Sequence, residues 1–271
     1  MNSPPTTGDS VPSTAPQTAV ITPTRLLPER LPYLIALHES LVRQQASAWQ
    51  WILSLDGGDP KDIPSQIAQD GRVKVLALPK CGAAMTRNLA LNLVDAPTVA
   101  FCDDDDVLPR ASLSTRLRCL RTSGAAWVAG QIHNLYADGR SELRPSPVPP
   151  GRHEAGAVWT YVHSPKEPVP LGHTALLVET DYAVAVGGHG GFTQGEDYMY
   201  TASITGRAAG LVIPDVVYFY RDHADGQMTK ETFYDVMEQR VRHFAMSQNA
   251  AIVRRAGRED PWMSRATSSA A

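Results

Sequence analysis

Between residues 19 and 122 short apolar runs alternate strictly with segments whose apolar residues recur at helical spacing, and this pattern constrains the fold more than anything else in the sequence. Ala19-Val-Ile-Thr22 reads as a first strand, ended by Pro23. Arg30 to Gln45 carries Leu34, Ile35, Leu37, Leu41 and Val42 as a helical stripe. Trp49 to Leu55 is a second strand, closed by the turn signal Asp56-Gly-Gly-Asp-Pro60. A short helix is expected over Lys61 to Gln69, a strand over Arg72 to Leu78, a helix over Gly82 to Val94, a strand through Val99, Ala100 and Phe101, and a helix over Pro109 to Thr122. Strand and helix in strict alternation predict a mostly parallel central sheet with helices on both faces and right-handed crossovers.

The fourth strand delivers four consecutive carboxylates, Asp103 to Asp106, just ahead of Pro109, a residue suited to the first position of a helix. Acids at the carboxyl end of a strand stand where open α/β sheets place their ligands. Four adjacent like charges repel, so a cation or many donors must compensate them. If the strand persisted through them, Asp103 and Asp105 would share one face and Asp104 and Asp106 the other. Two carboxylates on one face suit a hard divalent cation, magnesium or manganese, completed by phosphate oxygens. A solvated acidic loop is the plainer account of a charge run. The apolar strand upstream and the helix downstream favour the metal site.

Composition excludes several classes. Hydrophobic residues make up 43% and charged residues 20%, with a formal net charge of -3, so this is globular composition without the basic face of a nucleic-acid binder. The three cysteines, Cys81, Cys102 and Cys119, show no C-x-x-C spacing, which argues against a disulfide framework or a zinc ribbon and fits a reducing cytoplasm. No apolar run is long enough to span a bilayer. Residues 1–18 lack the charged start and apolar centre of a secretory signal and read as a disordered tail; residues 256–271 read as a flexible tail. The turn after the first strand holds no glycine, and no P-loop occurs anywhere, so a nucleotide would be held by other means.

After Thr122 the pattern loosens. Strands are expected over Ala126 to Tyr136, Thr174 to Val178 and Gly210 to Tyr220, with a long loop over Ser141 to Pro170 of the kind that serves as a lid or binding segment. Gly187 to Gly191 reads as a flexible turn. Gly195 to Ile204 begins a helix with acids in its first turn, where the helix dipole favours them. A C-terminal amphipathic helix is expected over residues 229–255, with Thr229 as N-cap and a stripe of Phe233, Val236, Met237, Val241, Phe244 and Ala245. The chain thus divides into a domain over 19–228, with halves 19–122 and 123–228, and the C-terminal helix.

In this order the pieces resemble the family 2 glycosyltransferases, inverting enzymes with the nucleotide-diphospho-sugar-binding GT-A fold. The resemblance runs from Thr18 to Met228. Val20-Ile-Thr-Pro-Thr24 is similar to the family's first strand. Leu53-Ser-Leu-Asp-Gly-Gly58 is similar to its second, with Leu55 in place of the first Asp of an Asp-Asp-Gly-Ser turn and Asp56 keeping the second. Gly82 to Asn88 resembles the Gly…Ala-Arg-Asn helix start, Phe101 to Asp106 the Leu-Asp-x-Asp-Asp motif, Glu196-Asp197 the pair that supplies the base, and Tyr220-Arg-Asp-His223 a C-terminal Tyr-Arg-x-His segment. Each motif alone is weak; together, in this order at element boundaries, they are not.

The resemblance implies a role for each. Asp105 is the first metal ligand and Asp103 the second, unless Asp103 instead contacts the donor ribose or sugar; Asp104 and Asp106 orient the donor site from behind. Thr22, Pro23 and Thr24 flank the nucleotide pocket, and Asp56 accepts a hydrogen bond from a uracil-type base, against a plain reading as a turn Asp. Arg87 pairs with a phosphate or with Asp103, a structural salt bridge being an equal account. Asp197 is the general base, its pKa raised by a dry acidic cleft, and Glu196 orients the acceptor or caps the helix. His223 reaches the metal or pyrophosphate, and Trp159, His163 and His173 stand where an acceptor pocket is expected. The expected activity is metal-dependent transfer of a sugar from a nucleotide-diphosphate sugar, a UDP-sugar first, to a small-molecule or peptide acceptor in the cytoplasm. The competing readings are a sugar-nucleotide nucleotidyltransferase, which normally carries a Gly-rich loop this chain lacks, and a non-catalytic sugar- or cation-binding module. The last helix offers a surface on which a second copy can pair. Neither the sugar nor the acceptor is legible.

Overall fold

The computed structural model describes residues 15–45, 48–164, 167, 169–223 and 234–256. Strands β1 (Thr18–Thr24), β2 (Trp49–Asp56), β3 (Val73–Leu78) and β4 (Thr98–Phe101) alternate with helices α1 (Leu31–Val42), α2 (Ser65–Ala68) and α3 (Ala83–Leu91), followed by α4 (Ser112–Ser123). All four strands run parallel: β1 lies between β2 and β4, and β2 carries β3 on its far side. Alternate residues sort to the two faces, as the two-residue strand period requires. Val20 and Ala100 pack with Leu34, Leu37 and Leu41 of α1 and Leu113 and Leu117 of α4. Ile21, Val99 and Phe101 pack with Ala90 and Leu91 of α3 on the other face. β1, β2 and β4 are covered on both sides and mostly apolar, as buried parallel strands are, whereas β3 at the sheet edge leaves Lys74, Val75 and Ala77 exposed.

The rest of the sheet is mixed. It comprises β5 (Trp127–Leu135), β6 (Ser141–Arg144), β7 (Gly151–His153), β8 (Leu176–Glu179) and β9 (Gly210–Arg221), giving a nine-stranded sheet in the order β3-β2-β1-β4-β8-β5-β9-β7 with β6 beside β5. β8 enters antiparallel between β4 and β5, whereas β9 runs parallel to β5. The expected long loop over Ser141 to Pro170 therefore contributes two strands, together with a 3-10 turn over Ala157–Tyr161. Helices α5 (Thr180–Ala185), α6 (Glu196–Arg207) and α7 (Tyr234–Ala256) complete the order.

Three local expectations are corrected. Pro109 is not the first helical residue; α4 begins at Ser112, and the Pro109 carbonyl accepts from Ser112 N at 2.9 Å and Gln44 Nε2 at 2.8 Å in the preceding turn. The turn at Gly187 to Gly191 is clasped, because the Asn88 side-chain amide donates to His189 O and accepts from His189 N, both at 2.7 Å. On α7, Val241 and Ala245 are buried among residues of α6, but Phe244 of the expected stripe is 49% exposed. Thr229 and the side chains of Phe233, Val236 and Met237 lie outside the described residues. Among the described residues no helix is long and apolar enough to cross a membrane.

Candidate active site

The crossovers from β1 lead to β2 and β3 on one side and the chain then returns to β4 on the other, so the strand order reverses between β1 and β4. A crevice opens at such a point beyond the carboxyl ends of the strands. Ile21 pairs with Phe101 in register, which sets the residues after Phe101 beside Pro23 and Thr24. The four acids emerge there.

They do not continue as a strand. A turn closes over them, with Asp106 N donating to Asp103 O at 3.3 Å, and the expected pairing of Asp103 with Asp105 on one face is not formed. Asp103 keeps the side of Phe101 and meets α3: Arg87 Nη2 donates to its Oδ1 at 2.6 Å. Asp104 and Asp105 both turn to Arg30, which precedes α1. Arg30 Nε donates to Asp104 Oδ1 at 3.1 Å, Nη2 bonds the same oxygen, and Nη2 lies 2.9 Å from Asp105 Oδ2. Thr24 Oγ1 donates to Asp104 Oδ2 at 2.6 Å, tying the end of β1 to the acid turn. Asp106 is buried; its Oδ2 accepts from Tyr218 OH and its Oδ1 from Arg221 N, each at 2.7 Å. Burial, then the Asp105 and Asp103 charges, push the Asp106 carboxyl well above its ordinary range. Burial also works to raise Asp103, but the charge and hydrogen bond of Arg87 outweigh it and hold that carboxyl low.

Arg87 joins this turn to α6. It is 5% exposed; while Nη2 holds Asp103, Nη1 donates to Glu196 Oε1 at 3.0 Å. Glu196 and Asp197 open α6 behind Gly195, whose φ of 72° is the left-handed conformation glycine adopts without strain. A Cβ at Gly195 would stand 3.0 Å from Val241 Cβ, so α7 packs directly on the entry to this helix. Asp197 Oδ1 accepts from Tyr198 N at 2.9 Å within the first turn.

The far end of β9 closes the site from the third side. His223 Nε2 lies 2.9 Å from Asp105 Oδ2, and Arg221 Nε donates to Asp105 O at 2.7 Å. A carboxylate oxygen beside an imidazole nitrogen is a fit for a divalent cation that takes its remaining ligands from phosphate and water, as magnesium and manganese commonly do. Among the described residues no group of three or more His, Cys, Asp or Glu side chains is placed to hold a metal ion.

The family model for glycosyl transferase family 2 matches residues 20–168, more than half of the chain. The chain belongs to glycosyltransferase family 2. No curated protein sequence matches it. Among solved structures, S. aureus TarS 1-349 in complex with UDP-GlcNAc superposes with a TM-score of 0.66 at 17% identity, covering 87% of this chain and 70% of that one. S. aureus TarS 1-349 in complex with UDP gives a TM-score of 0.61 at 18% identity, over 87% and 69% of the two chains. Likeness at this identity concerns the fold, which is the GT-A fold.

Within this family 2 fold the remaining expected residues take varied places. Thr22 is fully buried and its hydroxyl accepts from Trp51 Nε1 at 2.9 Å, so its side chain is committed to the sheet and not to a pocket. Pro23 is half-buried beside it. Asp56 ends β2, and its Oδ1 accepts from Cys81 N at 2.6 Å and Gly82 N at 2.9 Å, fastening the loop that leads into α3. The turn after Asp56 packs on the loop after β1: a Cβ at Gly58 would lie 3.0 Å from Arg25 O. Trp159 is buried, with Nε1 donating to Thr205 Oγ1 at 2.8 Å, and so does not line an acceptor pocket. His163 is exposed. His173 is buried under Asp103, where burial and then the Arg87 charge lower its pKa to about 4 and keep the ring neutral.

Arg30 and Tyr218 are the site residues that the sequence motifs missed. Arg30 sits in a helical stripe where a charge signals only exposure. Tyr218 lies in an apolar strand, three residues before Arg221, and reads as core; its hydroxyl accepts from Asp103 N at 3.2 Å while donating to Asp106. The demand for compensation that the four acids raise is the signal that pointed to such partners.

Proposed function

We propose that this family 2 enzyme moves a sugar from a UDP-sugar to a small-molecule or peptide acceptor, with a divalent cation and with inversion at the anomeric carbon. The observation that carries the reading is the Arg87 bridge. One buried guanidinium joins Asp103, in the crevice between β1 and β4, to Glu196, beside Asp197. Donor acids and base segment, far apart in sequence, thus flank one cleft.

In this reading Asp56 receives the base with the edge that its two backbone donors leave, and Pro23 and Thr24 border the nucleotide. UDP is the first choice because TarS structures similar in fold hold UDP and UDP-GlcNAc. Asp105 and His223 would hold the cation, which would supply positive charge to stabilise the leaving diphosphate. The acceptor oxygen attacks the anomeric carbon from the side opposite the diphosphate, Asp197 takes its proton, and the bond from that carbon to the diphosphate oxygen breaks. Glu196, fixed by Arg87, aims the segment that carries Asp197. The cysteines, all free, support a cytoplasmic setting.

Calorimetry with UDP, GDP, CDP and ADP, with and without manganese, tests donor and cation together. Manganese-dependent binding selective for UDP is expected. Equal binding of all four, or none, would overturn the donor assignment, and a UDP affinity unchanged by manganese would overturn the cation. The anomeric configuration of the product, read by NMR, tests inversion.

A further inference from the structure

The second position of the family's Asp-x-Asp-Asp motif is unrestricted, and this chain spends it on a further carboxylate, Asp104. Both oxygens of that carboxylate are already engaged within the protein. Oδ2 takes the Thr24 hydroxyl and Oδ1 takes Arg30 through both Nε and Nη2. Two donors on one oxygen fix the plane of the guanidinium. Nη2 also reaches Asp105 Oδ2, the same oxygen that faces His223 Nε2, so Arg30 is held against the carboxylate read as the cation ligand. Among the described residues nothing accepts from Arg30 Nη1.

Arg30 differs in this from Arg87. The Arg87 side chain is 6% exposed and spends Nη1 and Nη2 on Asp103 and Glu196, whereas that of Arg30 is 18% exposed and keeps one nitrogen open. A planar guanidinium with an open edge, stationed at the carboxyl ends of β1 and β4, matches phosphate oxygens in geometry and charge. Rather than lying along the base or the sugar, it lies beside the cation ligand, where a diphosphate must come.

We propose that Arg30 is a diphosphate-binding residue of the donor site, held in position by Asp104. Asp104 is a positioning residue: it neutralises Arg30 in the empty site and presents Nη1 to an oxygen of the diphosphate, so that donor affinity does not rest on the cation alone. The proposal rests on the donor reading above.

The test compares UDP with uridine by calorimetry on the full chain, in manganese and in EDTA. Uridine shares the base and ribose but has no diphosphate. In Arg30→Gln, UDP affinity should fall at least about tenfold in both conditions, the worth of a hydrogen bond to a charged group, while uridine affinity stays at the parent's value. Arg30→Lys keeps the charge on Asp104 and loses the fork, and guards against misfolding of the first variant; it too should lose UDP affinity and keep uridine. Equal loss of both ligands in Arg30→Lys, or no loss of UDP in either variant, would overturn the role. A parent that binds UDP no better than uridine would instead overturn the donor reading itself.

Discussion

Replacing Tyr218 by Phe isolates the contribution of one hydroxyl to the acid turn. The ring is fully buried among residues of α1, α4 and β5, and Phe fills the same volume, so packing is nearly unchanged. The lost hydroxyl leaves Asp103 N without its acceptor and Asp106 Oδ2 without its donor. A buried group so orphaned costs about 1–3 kcal/mol. Asp106 can soften its share by staying protonated, since burial and the neighbouring acids already push it well above its ordinary range. The expected loss is therefore about 2–4 kcal/mol at neutral pH. Its pH dependence has a definite sign. A carboxyl raised in the folded state weakens folding as pH rises through its unfolded pKa of about 4, and the penalty grows until the folded pKa is reached. The Tyr218 hydroxyl favours the ionised form, so Tyr218→Phe raises the folded pKa further. The gap between variant and parent should stay constant while Asp106 is protonated in both folded proteins and widen only as pH rises through the parent's raised folded pKa. Urea denaturation across pH reads this directly, as a lower midpoint with an unchanged slope. A loss below about 1 kcal/mol at pH 7, or one that narrows as pH rises, would refute the bridge.

Three further outcomes are expected. Asp197→Asn should bind UDP and manganese as the parent does but transfer sugar roughly two to four orders of magnitude more slowly, and lose the rise of rate with pH; near-parental turnover would remove Asp197 as the base. Asp56→Asn keeps an oxygen for the Cys81 and Gly82 amides, so its melting temperature should hold while UDP affinity falls, whereas Asp56→Ala should lose about 1–3 kcal/mol of stability as well; unchanged UDP affinity in the Asn variant would leave Asp56 a purely structural residue. Asp70 accepts from Arg72 and faces His38 Nε2 at 2.9 Å, and its carboxyl is held well below the usual range, chiefly by Arg72. That stability is complete above the carboxylate's ordinary range and fades as pH falls through it, so thermal melts of Asp70→Asn should show a flatter acid limb than the parent's; parallel curves would reject the assignment.

Strand and helix periodicity made the first half of the fold legible, because β1, β2 and β4 are buried apolar runs and the helices between them present apolar stripes to the sheet. Sheet order was not legible. Nothing in Leu176-Leu-Val-Glu179 announces that it runs antiparallel between β4 and β5, since an apolar run reads the same in either direction. Within the site, the acids, Arg87, Asp197 and His223 stood out because charged side chains at element ends are conspicuous in a sequence. Their register was misjudged where strand geometry was carried past Phe101: a turn obeys its own backbone bonding, and Asp106 N closing on Asp103 O moved Asp105 to the side of Asp104. Thr22 was placed in the pocket by proximity, but strand parity points its side chain to Trp51. Tyr218 stayed hidden because a tyrosine in an apolar strand satisfies the core pattern with its ring and does its polar business with one atom.

The charge arrangement also bears on how the site is made ready for a ligand. Four adjacent acids could have been left for a cation to hold together, and the turn would then form fully only when loaded. Here each acid has an internal partner: Arg87 for Asp103, Arg30 for Asp104 and Asp105, and the Tyr218 hydroxyl with Arg221 N for Asp106. These partners come from α3, from the segment before α1, and from β9, so closing the fold is what assembles the turn. A turn preorganised in this way does not need a cation as a structural support, and in the proposed reaction the cation's charge would be left to act on the diphosphate. Arg87 carries the same logic across the cleft. Because it is buried and holds Asp103 and Glu196 together, a shift of the acid turn on donor binding must be felt at the start of α6, beside Asp197. In the proposed reaction, donor occupancy and the aim of Asp197 would therefore be linked through one side chain, with the contact of Val241 at Gly195 limiting how far that segment can yield.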